Sequence, residues 1–485
     1  MNTVRRNRLL KTFIHFLDDD SLLNIFYYCR PALLDEGDDN ELVILQGGAW
    51  DREYWWYKFV QVCRRWRYLI FGSVFHLGVS LRCTYGAPIA DMLEHSPPLP
   101  LLIDYIDEDR GLSEEDEKGM MLAFQHRDRV RRIRLLLRHQ DSQKFVLAMG
   151  AKFPTLEFLY LEPPVDDNGN TGFTLPETFR APHLRHLVLT YFAFPMVFAS
   201  LAPAKGLITL SLDQIPASAY FSPNSLLQWV SLMPHLQTLE ISFHSLPNPD
   251  VERQYLDMPM MTHVTLPNLR WFTFSGASAY LEALLPQVMT PLLERLDVHF
   301  FHQLTVSLAN LKQFISSASN FRFTRASLLF HEDGVELEGT PREGTIMSAL
   351  FVSVDCQEYE HGRQVYWAAQ MCGVLGPVSS TVVDLALFHE GSELFIPIFN
   401  LATRIQWREV LKSFNNVKTL RLPEAFLWDL SLSLQVSDGE SPMEVLPELK
   451  KLRCNASEDD IPETFDAFLE ARENAGFPVM LFCNA

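Results

Sequence analysis

Two pairs of histidines, His183-x-x-His186 and His299-x-x-His302, come nearest to the spacing of a metal site in this chain. Both fall in stretches that read as strands. On a strand, residues three apart face opposite sides, so neither pair is expected to share a metal ion. Among the seven cysteines no CxxC pair occurs, and the total is odd. That argues against both a disulfide framework and a zinc site, and it suits a reducing compartment. Cys63 and Cys454 occupy apolar positions of periodic segments, where a thiol serves as a small hydrophobe rather than a nucleophile. Serine-hydrolase, phosphate-loop, dinucleotide and metalloprotease signatures are all missing from the sequence. The residue types therefore point away from catalysis and toward recognition. The expectation is a non-enzyme with no cofactor and no metal.

Composition agrees. The chain has 485 residues, of which 47% are hydrophobic and 21% charged, enough apolar material for a large core. Its 41 Lys and Arg against 60 Asp and Glu give a net charge of −19, unsuited to a general nucleic-acid binder. The apolar runs are too short for a membrane span. The basic start at Arg5, Arg6, Arg8 and Lys11 precedes an apolar stretch too short for a secretion signal. A cytoplasmic or nuclear protein without membrane or nucleic-acid partners is expected.

The charge is unevenly placed. Residues 1–80 hold ten Lys and Arg and ten Asp and Glu, so the whole −19 belongs to residues 81–485. Asp104 to Glu117 carries eight acids, and Arg127, Arg129, Arg131, Arg132, Arg134 and Arg138 follow. These arginines either offer a phosphate site or pair with the acids before them, and pairing is the preferred reading.

The dominant pattern is a repeat. An apolar residue, two variable residues, a second apolar residue, one variable residue and a third apolar residue recur along the chain. Clear copies are Leu156/Leu159/Leu161, Leu184/Leu187/Leu189, Leu207/Leu210/Leu212, Leu236/Leu239/Ile241, Leu269/Phe272/Phe274 and Leu293/Leu296/Val298. Val130/Ile133/Leu135 precedes them. Val382/Leu385/Leu387, Val417/Leu420/Leu422 and Leu449/Leu452/Cys454 follow, with Phe323/Ala326/Leu328 a weak copy. Proline stands two residues before the first apolar position at Pro154, Pro182, Pro234, Pro267, Pro291 and Pro447. It separates a preceding helix from the coming strand. The segments 225–233, 279–288, 308–317 and 404–414 read as amphipathic helices. Residues 332–365 fit the repeat poorly and are expected to form a loop with an irregular copy. A helix over 465–475 and a strand over 477–482 are expected to close the array.

The first segment differs. Leu22, Leu23, Ile25 and Phe26 give a helix an apolar face, with Asp20 or Ser21 as its cap. Trp55 to Ile70 reads as one helix with a broad apolar face and a basic opposite side.

Residues 17–70 resemble an F-box. Leu17, Ile25-Phe26 and Val62-Cys63-Arg64-Arg65-Trp66-Arg67-Tyr68-Leu69 stand where the family pattern has Leu-Pro, Ile-Phe and Val-Cys-Arg-x-Trp-Arg-x-Leu. Asp18 replaces the proline, Ser21 replaces an apolar residue, and about fifteen residues are inserted near 34–50. The whole chain is similar to fungal, mushroom-type F-box proteins with degenerate leucine-rich repeats. The resemblance implies an α/β protein: an F-box module at 12–72, a linker with irregular first repeats at 73–128, and a leucine-rich-repeat-like solenoid at 129–485. Parallel strands would line its inner wall and helices its outer wall. It implies the substrate-recognition subunit of an SCF-type (Skp-cullin-F-box) ubiquitin ligase. Leu17, Leu22, Ile25, Phe26, Val62 and Trp66 would meet a Skp-type adaptor bound to a cullin. A protein target of unknown identity would bind the repeat array. The variable positions Phe158, Tyr160, His186, Glu240, Trp271, Thr273, Arg295 and Asp297 are the expected contacts. The excess of acid outside the F-box favours a target with a basic surface. The alternative is a repeat scaffold that joins proteins without assembling a ligase.

Overall fold

A computed structural model describes residues 17–30, 55–106, 112–136, 142–163, 173–193, 205–256, 263–301, 308–318, 323–341, 348–356, 361–390, 401–435, 441–457 and 461–483. The chain forms two compact units. One comprises residues 1–189 and 196–204, and the other residues 190–195 and 205–485.

Among the described residues the first unit opens with α1 (Asp19–Cys29), α2 (Trp55–Val60), α3 (Arg64–Gly72) and α4 (Val74–Leu77). The cap of α1 is Asp18 rather than Asp20 or Ser21, and its carboxylate accepts from the Ser21 N–H at 2.7 Å. The residue that departs from the F-box proline therefore starts the helix. Trp55 to Ile70 is not one helix but two. The Val62 N–H closes α2 on the Phe59 carbonyl, and Cys63 adopts extended backbone to begin α3. Phe26, Phe59 and Trp66 pack edge-to-face or tilted, with ring centroids 5.0 to 6.0 Å apart. Each such pair adds about 1 kcal/mol to the burial of the rings.

Among the described residues, parallel strands follow in chain order: β1 (Leu81–Cys83), β2 (Leu101–Tyr105), β3 (Val130–Leu136), β4 (Phe158–Glu162) and β5 (His186–Thr190). The sheet thus begins at Leu81, ahead of the first repeat copy. Between strands lie α5 (Ile89–His95), α6 (Glu114–Gln125) and α7 (Ser142–Ala148). The acids Glu114 to Glu117 form the first turn of α6, where negative charge is favourable. Ser113 and Asp116 form a capping box there, and Asp116 also accepts from the Gly86 N–H at 2.6 Å. Of the arginines, Arg134 donates to Asp104 at 2.5 Å in a buried pair. Arg131 instead grips Glu157, and Arg129 donates to the Leu99 carbonyl. Arg138 lies outside the described residues.

The second unit begins with β6 (Thr209–Ile215), β7 (Thr238–Phe243), β8 (Val264–Thr265), β9 (Trp271–Gly276), β10 (Val288–Met289) and β11 (Arg295–Phe300). In the main sheet β6, β7, β9 and β11 are parallel neighbours, while β8 and β10 form a separate short pair. Then come β12 (Arg325–His331), β13 (Gly334–Thr340), β14 (Leu350–Asp355), β15 (Asp384–His389), β16 (Thr419–Pro423), β17 (Lys451–Asn455) and β18 (Met480–Cys483). Their order after β11 is β14-β13-β12-β15-β16-β17-β18.

Residues 332–365 are therefore not a loop. β12, β13 and β14 form an antiparallel meander, and β14 and β12 keep parallel contact with β11 and β15. Glu332-Asp333 forms the two-residue turn between β12 and β13, and Gly334 pairs with His331 as the first residue of β13. A Cβ at Gly334 would meet the Val354 carbonyl oxygen at 2.5 Å, so only glycine fits this close approach.

Helices α8 (Pro223–Val230), α9 (Pro249–Leu256), α10 (Ser278–Leu284), α11 (Ala309–Ser317), α12 (His361–Ser379), α13 (Leu401–Lys412), α14 (Leu427–Leu434) and α15 (Thr464–Asn474) connect these strands. Successive helices from α10 to α15 pack on one another. The second and third apolar positions of each clear copy are strand residues facing the buried side. Each such leucine contributes on the order of 2 kcal/mol through burial.

The proline rule also has a local cause. In all six copies with proline, the N–H of the first apolar residue bonds the carbonyl three residues earlier, at 3.1 to 3.5 Å. Proline is thus the second residue of a β-turn, where its fixed φ is already correct. The last of these turns is held by Arg472 of α15. Its buried guanidinium donates to the carbonyls of Pro442, Leu446, Pro447 and Leu449.

Candidate interaction faces

In the first unit, the six F-box positions separate into two groups. Leu22 and Phe26 are fully buried, and Trp66 packs on Phe26. These three are the module's own core, because α1, α2 and α3 close on them. Leu17 is half-buried. Ile25 and Val62 are 43% and 56% exposed. Val62 stands at the break between α2 and α3, which turns it off the buried face. Aromatic residues unforeseen as contacts join them: Tyr28 is 84% exposed and Tyr68 79%. Ile25 and Tyr28 lie three apart on α1, on one helix face.

Phe158, Tyr160 and His186 lie on neighbouring strands of the first unit, half-buried on the sheet face opposite the leucine core. The Arg132 guanidinium sits over the Phe158 ring at 5.2 Å, and the His186 ring is 5.8 Å away. The Tyr160 hydroxyl donates to Glu162 at 2.5 Å.

In the second unit the structure brings Glu240, Trp271, Thr273, Arg295 and Asp297 together. Trp271 is in register between Thr238 and Arg295, and Thr273 between Glu240 and Asp297. Glu240 accepts from the Ser211 hydroxyl at 2.6 Å, and Asp297 accepts from Arg295 at 2.8 Å. Burial pushes the Asp297 carboxyl up, Arg295 opposes this, and Glu338 adds to it.

The meander extends this face with residues the repeat pattern did not single out. Phe351 is in register between Asp297 and Glu338, and Ser353 between His299 and Glu336. His299 Nδ1 is 2.6 Å from the Ser353 hydroxyl, and Nε2 is 3.2 Å from Asp355. The alternation through Val335, Glu336, Leu337 and Glu338 was the available signal for these positions.

A serine, a histidine and an aspartate in contact invite a hydrolase reading. Ser353 is only 3% exposed and lies within a strand paired on both sides, so its backbone is committed to the sheet. An acyl-transfer site needs an accessible nucleophile and free donors for the oxyanion, which this setting does not supply. The thiol of Cys454 is fully buried and pushed up to about 12 by burial and by Cys483, whereas Cys63 is half-buried at the start of α3. Among the described residues no group of three or more His, Cys, Asp or Glu is placed to hold a metal ion. His302 lies outside them. Also among the described residues, no helix is long and apolar enough to cross a membrane.

No protein-family model matches the chain, and no match was found among curated proteins.

Proposed function

We propose that the chain is the substrate-recognition subunit of an SCF-type ubiquitin ligase. The observation that carries the reading is the N-terminal helical module, whose helices pack around Phe26 and leave Ile25, Tyr28, Val62 and Tyr68 exposed. Large apolar side chains left outside a packed core suit a helical partner, and a few such anchors dominate binding. The F-box resemblance of residues 17–70 gives that partner as a Skp-type adaptor. The strand, turn and helix units behind it are read as degenerate leucine-rich repeats, with the open sheet face as the target surface.

In this role the chain performs no chemistry. It holds a protein target near the transferring enzyme, and proximity is its contribution. Co-expression with a Skp-type adaptor tests the reading. The wild-type chain is expected to retain the adaptor through purification, and Ile25→Asp with Val62→Asp to lose it. A repeat scaffold without ligase assembly is the second reading, favoured if the wild-type chain binds no adaptor.

A further inference from the structure

The open sheet face of the second unit has two signs of charge: acids gather on β13 and β14 and cations on β16 and β17, while Arg295 pairs with Asp297 on β11. Reading one row across paired strands gives Asp297, Phe351, Glu338, Ser327, Ala386, Arg421 and Arg453. Glu336 and Asp355 lie beside the acidic end of this row, and Lys451 beside the basic end. Every one of these charged residues is half-buried or exposed, so the face is open to a partner. Between the two regions Asp384 lies 3.6 Å from Arg325 and 3.3 Å from Arg421, an ion-pair cluster of both signs.

We propose that this face binds an extended, bipolar protein segment, with a basic block on β11, β14 and β13 and an acidic block on β16 and β17. The inference rests on the reading of the array as a target receptor and adds the chemistry of the target. Charge complementarity fixes the occupant, since like charges set against either end are repelled. Phe351 between two carboxylates offers a ring face to a lysine or arginine, an arrangement that suits cation–π contact. The ends of the row are six strand steps apart, about 29 Å at about 4.8 Å per step. Its inner charges, Glu338 and Arg421, are three steps apart, about 14 Å. At about 3.3 Å per residue, the two blocks in an extended segment stand between about four and nine residues apart. Asp297 already has Arg295 at 2.8 Å, so Glu336, Glu338 and Asp355 are the carboxylates left to meet the basic block.

The test uses the full-length chain and labelled synthetic peptides. One peptide has a lysine block and a glutamate block joined by a Gly-Ser spacer of about six residues. A second has the same composition with lysine and glutamate alternating. The block peptide is expected to bind at least about tenfold tighter than the alternating one at low salt. Reversing the acidic end, Glu336→Lys with Glu338→Lys, or the basic end, Arg421→Glu with Arg453→Glu, is expected to remove that preference. Reversing both ends together is expected to restore it, because the peptide can lie the other way round. Equal binding of the two peptides, or no recovery when both ends are reversed, overturns the proposal. If a reversal unfolds the chain, Glu338→Gln and Arg453→Gln carry the test, each expected to reduce the preference. Adaptor capture measured on the same preparations separates the two inferences. Capture without peptide preference removes only the bipolar target, and preference without capture removes only the ligase.

Discussion

Arg65 of α3 donates from Nε and Nη2 to one oxygen of Asp19, at 2.9 and 2.7 Å, and from Nη2 to the Leu17 carbonyl at 2.6 Å. One side chain thus ties the first helix of the N-terminal module to the third. The pair is half open to water, 36% and 59% exposed, so its charge contributes no more than about 1 kcal/mol. Arg65→Ala should lower stability by about that amount, read in thermal melts, and Arg65→Lys should recover little because lysine lacks the fork. The neighbouring cap adds a pH signature. The Ser21 N–H, the Ser21 side chain and Arg65 hold Asp18 below its ordinary value of 3.8. A lowered carboxylate stabilises the fold above its unfolded value, and that stability is lost as pH falls through the folded value. Asp18→Asn should therefore flatten the acid side of the melting profile.

Arg472 is fully buried and has four carbonyl partners around the turn before β17. Arg472→Met takes a donor from each of those carbonyls, of which Leu446 keeps the Leu449 N–H, and a loss of about 3 kcal/mol is expected. Chemical denaturation monitored by tryptophan fluorescence measures it. Arg472→Lys should fall nearly as far, because one ammonium cannot span the fork.

Gly334 opens β13 beneath the Val354 carbonyl. Gly334→Ala should cost about 1 to 3 kcal/mol by forcing the hairpin from β14. A control alanine at Gly72, where a Cβ would meet nothing within 4 Å, should not.

Asp297 has the opposite sign to Asp18. Its folded value is raised, mainly by burial, so its stability is greatest below the unfolded value of 3.8 and is lost as pH rises through the folded value. Asp297→Asn should gain on the wild type in melting temperature from about pH 4 to pH 7, with no difference in stronger acid. A difference independent of pH would contradict this.

Much of the architecture was legible because it is written in local rules. Leu159 and Leu161, and their equivalents in the other copies, mark the buried strand face, and Pro154 and its equivalents mark the turns before it. The meander was hidden because its first hairpin turns on Glu332-Asp333, which lacks an Asn-Gly or Asp-Gly centre, and that hairpin breaks the parallel order. Trp55 to Ile70 read as one helix because apolar spacing continues through Val62 and Cys63, whereas the break depends on the backbone of Cys63. The same limit applies to the candidate contacts. Periodicity put Leu22 and Ile25 in one apolar set, and only tertiary packing sends Leu22 inward and leaves Ile25 outside.

Adaptor capture tests the account most directly. The chain, co-expressed with a Skp-type adaptor and passed through size exclusion, should elute as a one-to-one complex. Ile25→Asp with Val62→Asp should elute alone, with an unchanged melting temperature, because both side chains are exposed. A wild-type chain that elutes without the adaptor, or a double variant that keeps it, contradicts the ligase reading.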